Sequence, residues 1–352
     1  MNEQVPHKGF DVLDQAWALQ SAGERLKAVR AAASQVREAL LGGGKAEAVA
    51  TCPLVTLPYP TEFAFSGAAL SPAPYILMTN RMIVVQFKDW EGQRRTLLFN
   101  PSDTERGEKT PFYAMLIQRY GEFLSHKVLS EVHGTVLSHL AALGLSVGDV
   151  DYLSYDHLHI QDVRGWLGAE GIPGVFPRAK LLVDRREWEG ARELHPMQYI
   201  WYAPDGTRGV DDRRVVLLDR DAWLGPGVAL LRTPGHTLGN RSLAVVTDDG
   251  LFVSSENGVS TESYVPMQSA IPGVRGWAEK MGHEVVLNAN TREHSLDQYS
   301  SMVLEKLVAG PSKVDPTYPN VFPSSGLTAS LWAPGLSPTF QLAPPTQGVI
   351  RP

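Results

Sequence analysis

His157 and His159 stand two residues apart in the stretch DYLSYDHLHIQDVRGW, directly behind a short apolar run. In an extended segment residues i and i+2 point the same way, so both imidazoles can face one point. Imidazole is a ligand for zinc, iron, copper or nickel. A catalytic zinc site takes about three protein ligands and keeps a further position open for water. The third ligand must then come from elsewhere in the chain. His236, in LLRTPGHTLGNRSL, is the best candidate, because Pro234 and Gly235 form a tight turn after an apolar run and aim it off a strand end. Glu256, in GLFVSSENG, also closes an apolar run. A lone H-x-H among ten histidines is more often structural than ligating. Three histidines and a carboxylate, each just after a strand, carry more weight, since strand ends can gather on one rim of a sheet sandwich.

The surrounding elements have to deliver that convergence. Residues 11–41 read as one helix, with Leu26, Val29, Ala33, Val36 and Leu40 on a single stripe and GGGK as its stop. From about Ala48 the chain turns to short apolar runs broken by Pro and Gly. APYILMTNRMIVVQF and RRTLLFNPSD read as strands around the loop KDWEGQ, and residues 112–144 read as helical. Strands follow in VDYLSYDHLH, AKLLVD, RVVLLD, VALLRTPGH, SLAVVTDDGLFVSS and EVVLNAN. HSLDQYSSMVLEKLVAG is a final helix, with Ser295 and Gln298 spaced as a capping box and Leu296, Tyr299, Val303 and Leu307 as its buried stripe. Two blocks of strands with helices after each predict an αββα sandwich, two mixed β-sheets face to face with helices outside. The expected organisation is an N-terminal helical extension (1–47), one domain (48–310) and a Pro-rich C-terminal tail (311–352) that lies on the surface or reaches a partner.

Composition narrows the function classes. The chain has 352 residues, a net charge of −6 and no long basic run, which argues against nucleic acid as a partner. No stretch approaches the roughly 18 apolar residues of a membrane span. The N-terminus lacks the pattern of a secretory signal, and the single cysteine, Cys52, reads as a plain buried thiol. A cytoplasmic location and a small-molecule substrate are the expectations, and the N-terminal helix either caps the domain or pairs with a second subunit in a homodimer.

Taken together and in this order, the motifs resemble those of the metallo-β-lactamase-fold superfamily over roughly residues 75–310. DHLHIQDVRG corresponds to the family's T-H-x-H-x-D-H-x-x-G, TPGHTLGNRSL to its next histidine signature, GLFVSSENG to a strand ending in Gly-Asp, and EVVLNANTREHS to one ending in Gly-His. TLLFNPSD resembles the opening acidic motif, with Asp103 near its acidic position. The resemblance implies an αββα metallohydrolase-like fold in which His157, His159 and His236 fill the first metal position, and Glu256 replaces the bridging aspartate. The second position departs from the family. Gln161 stands for aspartate, Asp162 for histidine and Asn290 for the last histidine, with His294 four residues further on. A neutral amide is a poor substitute for carboxylate or imidazole. The expectation is one divalent ion, zinc or iron, with Glu256 or Asp162 completing its ligands, and the rival is an unusual two-metal site that uses both carboxylates. Asp162, where it is not a ligand, serves as the general base on an activated water or orients a histidine, and Glu256 shares the catalytic work. The implied activity is metal-dependent hydrolysis of a small ester, lactone, amide or phosphoester. A mononuclear iron oxygenase using His157, His236 and Glu256, and a non-catalytic binding protein, are the alternatives. Trp188, His195, Trp201 and Tyr202, between the two histidine signatures, could wall a substrate pocket, and Arg164 could meet an anion or simply pair with a carboxylate.

Overall fold

The structure is a computed structural model that describes residues 7–127 and 130–352. In chain order its strands are β1 (Ala48–Pro60), β2 (Tyr75–Lys88), β3 (Arg94–Phe99), β4 (Glu131–Val132), β5 (Tyr152–Ser154), β6 (Lys180–Asp184), β7 (Val215–Leu218), β8 (Ala222–Gly225), β9 (Val228–Arg232), β10 (Arg241–Thr247), β11 (Gly250–Ser254) and β12 (Ser325–Thr328). The first sheet runs β4-β1-β2-β3-β5-β6-β7, with β12 beside the first half of β2. It is antiparallel from β4 to β3 and parallel from β3 to β7. The second sheet, β11-β10-β9-β8, is antiparallel throughout, so only one of the two sheets is mixed.

The two sheets meet through alternate residues of their strands, as a period of two requires. Ile83, Val85, Leu97 and Phe99 from the first sheet pack on Leu230, Leu243, Val245 and Phe252 from the second. Helices close both outer faces, giving the four-layer αββα order.

Several local expectations change in the folded chain. The N-terminal helix breaks into Asp11–Trp17 and Ala22–Gly43, where Ser21 accepts a cap bond from the Glu24 N–H. Val29, Ala33, Val36 and Leu40 are fully buried in one cluster with Met302, Val303 and Val308 of the helix Ser295–Ala309. This stretch is thus a structural layer over the second sheet as well as an N-terminal addition. The helical region 112–144 becomes Pro111–Lys127, interrupted by a kink at Gly121 (φ +78°), and Val136–Ala142, with β4 between them. Residues 284–290 form no strand. Their bonded N–H groups go singly to the carbonyls of Ser263, Asn257 and Phe63 and to the Tyr299 hydroxyl, not to a neighbouring ladder. Residues 311–352 are built into the fold: β12 joins the first sheet, the Gln347 and Val49 backbones exchange two hydrogen bonds, and the Arg351 N–H donates to Gln86.

The final helix lacks the expected cap. The Ser295 hydroxyl donates to the Arg292 carbonyl, Gln298 is buried and bonded elsewhere, and Leu296 is 69% exposed. The helix is instead tied inward by Glu305, whose buried carboxylate accepts from Ser242 on β10, Asn257 and Tyr264. Burial raises Glu305 to about 7. The folded state therefore holds this proton more tightly than the unfolded chain. Its contribution to stability is complete below the unfolded value near 4.5 and is lost as pH rises through 7, a swing on the order of 3 kcal/mol. Thermal unfolding of Glu305→Gln should lose that component between pH 5 and 8. An unchanged pH slope would refute the assignment.

Candidate metal centre

The loop after β5 carries His157 and His159, and the loop after β9 carries His236. The fold brings all three together: ring centroids are 4.6 Å apart for His157 and His159, 4.4 Å for His157 and His236, and 5.1 Å for His159 and His236. All three are buried, and one nitrogen from each lies within 4.8 Å of the others.

Each ring is oriented by a specific partner. His236 Nδ1 is 3.4 Å from the Asn288 carbonyl, which leaves Nε2 buried with no hydrogen-bond partner. His159 Nε2 faces Gln198 Oε1 at 3.2 Å and leaves Nδ1 available. His157 Nδ1 lies 2.8 Å from Asp156 Oδ1 without hydrogen-bond alignment. Burial would lower His157, but the facing Asp156 carboxylate outweighs it and lifts the ring to about 9. Burial, with His157 adding to it, holds His159 and His236 well below the ordinary histidine range. These two rings are neutral and can ligate without first losing a proton.

The backbone around His236 depends on close approach. Gly235 has φ +149°, and a Cβ on it would fall 2.1 Å from the Gln298 Cα. A side chain at 235 would push the histidine loop off the helix. Gln298 in turn donates to the carbonyls of Asn257 at 3.0 Å and Asn288 at 2.7 Å, and Asn257 Oδ1 accepts the His236 N–H at 3.1 Å.

Two carboxylates absent from the sequence reading position the cluster. Asp156 is buried and accepts from the His157 N–H at 2.8 Å, Asn100 at 3.0 Å and Ser324 at 2.5 Å. Glu187 is 3% exposed. Its Oε1 accepts from the Leu158 N–H and the Tyr202 hydroxyl, both at 2.8 Å, and its Oε2 accepts from Thr237 at 2.6 Å. Glu187 thereby joins the H-x-H loop to the His236 loop. Asp156 stood beside His157 in the sequence, where only adjacency marked it. Glu187 had no local signal.

The remaining expected residues divide. Glu256 lies within 4.8 Å of His157 and Asp156 by its ligating atoms, and burial lifts its carboxyl to about 7. Ser325, which accepts from the Asn80 amide at 3.2 Å, lines the same cavity. Asp162 goes elsewhere: its carboxylate is gripped by Arg164 at 2.7 and 2.9 Å and by Arg106 at 3.2 Å. Arg164 is thus a salt-bridge partner. The Gln161 amide donates to Ser102 at 2.8 Å. Asn290 lines the cavity above the histidines, with its Oδ1 buried and unpartnered. His294 sits at the start of the last helix, outside that cavity. Asp103 caps the short helix Thr104–Gly107 and pairs with Arg106. Of the expected aromatic wall, Trp201 lines the cavity and Tyr202 stacks edge-on against His159, whereas Trp188 is in the core and His195 is bonded to the Met197 N–H.

The cavity over the histidines measures about 640 Å³ counting the part open to solvent. Tyr59, Met78, Phe112, Tyr113 and Trp201 form its walls, with Asn80, Gln161 and Asn290 among them and the histidines at its floor. A divalent ion fits this donor set. Three imidazoles converge, the buried His236 Nε2 lacks any other partner, and the oriented rings are those that a nitrogen-preferring ion requires.

The comparisons agree with this fold. No family model matches the chain. It is 28% identical over 130 residues to an N-acyl homoserine lactonase from Bacillus sp., covering 36% of this chain and 46% of that protein, so it spans under half the length of the curated relative it matches. A Bacillus thuringiensis AiiA variant with N-decanoyl-L-homoserine at its active site superposes with a TM-score of 0.51 at 18% identity, covering 80% of this chain and 94% of the other. AidC, a dizinc quorum-quenching lactonase in complex with a product, gives 0.51 at 14% identity over 86% and 94%. The chain has the metallo-β-lactamase fold.

Proposed function

We propose that this protein is a metal-dependent hydrolase that opens the ester bond of a small lactone or ester. The observation that carries the reading is the convergence of His157, His159 and His236 at the floor of a cavity, with His236 Nε2 free to ligate. The likeness to N-acyl homoserine lactonases supports the reaction class. His157, His159 and His236 would hold one ion, with Glu256 beside it. The ion would polarise the substrate carbonyl and make a water acidic enough to attack near neutral pH. Glu256, raised to about 7 by burial and within 4.8 Å of His157, is the carboxylate that would take a proton. Asp162 is not available for that role, because two arginines hold it ionised and turned away. The aromatic wall would receive an apolar arm, and the Asn290 Oδ1 offers a hydrogen-bond acceptor to a polar head. Among the described residues no helix is long and apolar enough to cross a membrane.

The test is elemental analysis of protein purified without added metal, paired with pH-stat hydrolysis of N-hexanoyl homoserine lactone and of simple aliphatic esters. About one zinc per chain with hydrolysis supports the proposal. Iron with oxygen consumption would replace it by the oxygenase reading, and a chain that binds no metal would refute it.

The second metal position gives a separate prediction. Gln161→Asp with Asp162→His should leave metal content near one per chain, because Asn290 still presents an amide and the released Arg106 and Arg164 add positive charge nearby. Adding Asn290→His should raise it toward two. A second ion in the double variant would show that Asn290 is not the obstacle.

A further inference from the structure

A second pocket, about 310 Å³ counting the part open to solvent, lies behind the wall that β12 shares with the metal centre. Ser325 faces the catalytic cavity and Gly326 the other one. Arg81 of β2 lines this second space. Its guanidinium donates to the Thr79 carbonyl at 2.9 Å and lies 5.2 Å from the Phe322 ring centre. Among the described residues no carboxylate pairs with it, and burial alone lowers it to about 10. The other arginines of comparable burial differ: Arg241 bonds Asp184, and Arg232 faces Asp221. A largely buried cation without a counter-charge is unfavourable unless something supplies one.

The lining defines the missing partner. Phe322, Pro338, Phe340 and Leu342 make most of it apolar, and the Ser260 and Thr261 hydroxyls are already bonded to Ser263 and to the Val321 carbonyl. One unpaired guanidinium in an apolar chamber matches a ligand with one carboxylate and an apolar body. The planar fork of arginine fits a carboxylate through two parallel bonds.

We propose that the cavity around Arg81 is a binding site for a small organic monocarboxylate, separate from the metal centre. It does not depend on the hydrolase reading. The probe is hexanoate, titrated calorimetrically into the metal-loaded protein, with inorganic phosphate as the comparison. Hexanoate should bind and phosphate should not. Arg81→Met should weaken hexanoate at least about tenfold while leaving the protein folded, since an apolar side chain of similar volume often replaces a buried charge without loss. Gly326→Ala should weaken it as well, because its Cβ would lie 2.7 Å from Arg81 Nη1. His236→Ala should leave it unchanged. Binding that survives Arg81→Met but disappears in His236→Ala would place hexanoate at the metal centre and overturn the proposal. Equal binding of phosphate would overturn the carboxylate assignment, and absence of binding would overturn both.

Discussion

On the proposed function, His236→Ala is expected to reduce metal content from about one ion per chain to near zero and hydrolysis by on the order of a thousandfold or more, because the activated water that the ion would supply is lost with it. The ring is buried, its Nδ1 faces the Asn288 carbonyl and its Nε2 has no partner among the described residues. Removing it therefore subtracts the proposed ligand and breaks only one long side-chain hydrogen bond besides the packing against His157 and His159. The fold should survive, so a second readout separates ligand loss from unfolding. A chelator should lower the melting temperature of the wild type, since a ligand that binds only the folded state stabilises it. The variant should melt at one temperature with or without chelator. A variant that keeps its ion and its chelator response would remove His236 from the ligand set.

Glu187→Ala is expected to lose about 3–5 kcal/mol of stability and to weaken metal binding by about 10–100-fold. Truncation leaves the Leu158 N–H, the Tyr202 hydroxyl and the Thr237 hydroxyl without their acceptor inside the protein. These donors flank His157, His159 and His236, so the loss falls on the spacing of the two loops. Glu187→Gln keeps one oxygen and a similar volume, and a hydroxyl can accept from its new N–H. It should fold close to the wild type while holding metal less tightly, as chelator competition would measure. If the alanine variant melts like the wild type, Glu187 is not the strut between the loops.

The parts of the site that were legible in the sequence are those governed by local geometry. The i, i+2 spacing of His157 and His159 follows from the pleat of an extended chain, and Pro234-Gly235 announces the turn that presents His236. The sandwich was legible because β-strand periodicity is a property of each segment alone. Asp162 was not, because its partner Arg106 lies 56 residues earlier in the chain. A carboxylate near an arginine pair gains more from them than from a histidine cluster already facing Asp156 and Glu256. Gln298 shows the same competition. Its position allows a helix cap, but two buried carbonyls needed donors, and an unpaired buried carbonyl costs more than an exposed helix end left to water.

The sequence by itself determined which side chains are able to bind metal and which strands and turns carry them, because backbone periodicity and turn chemistry act over a few residues. Only the tertiary structure decided which carboxylate serves the histidines, which is neutralised by arginine, and that the C-terminal segment brings Ser324 and Ser325 to the site. Hydrogen bonds and charges are settled by whatever partner packing places within about 3 Å, and those partners come from anywhere along the chain.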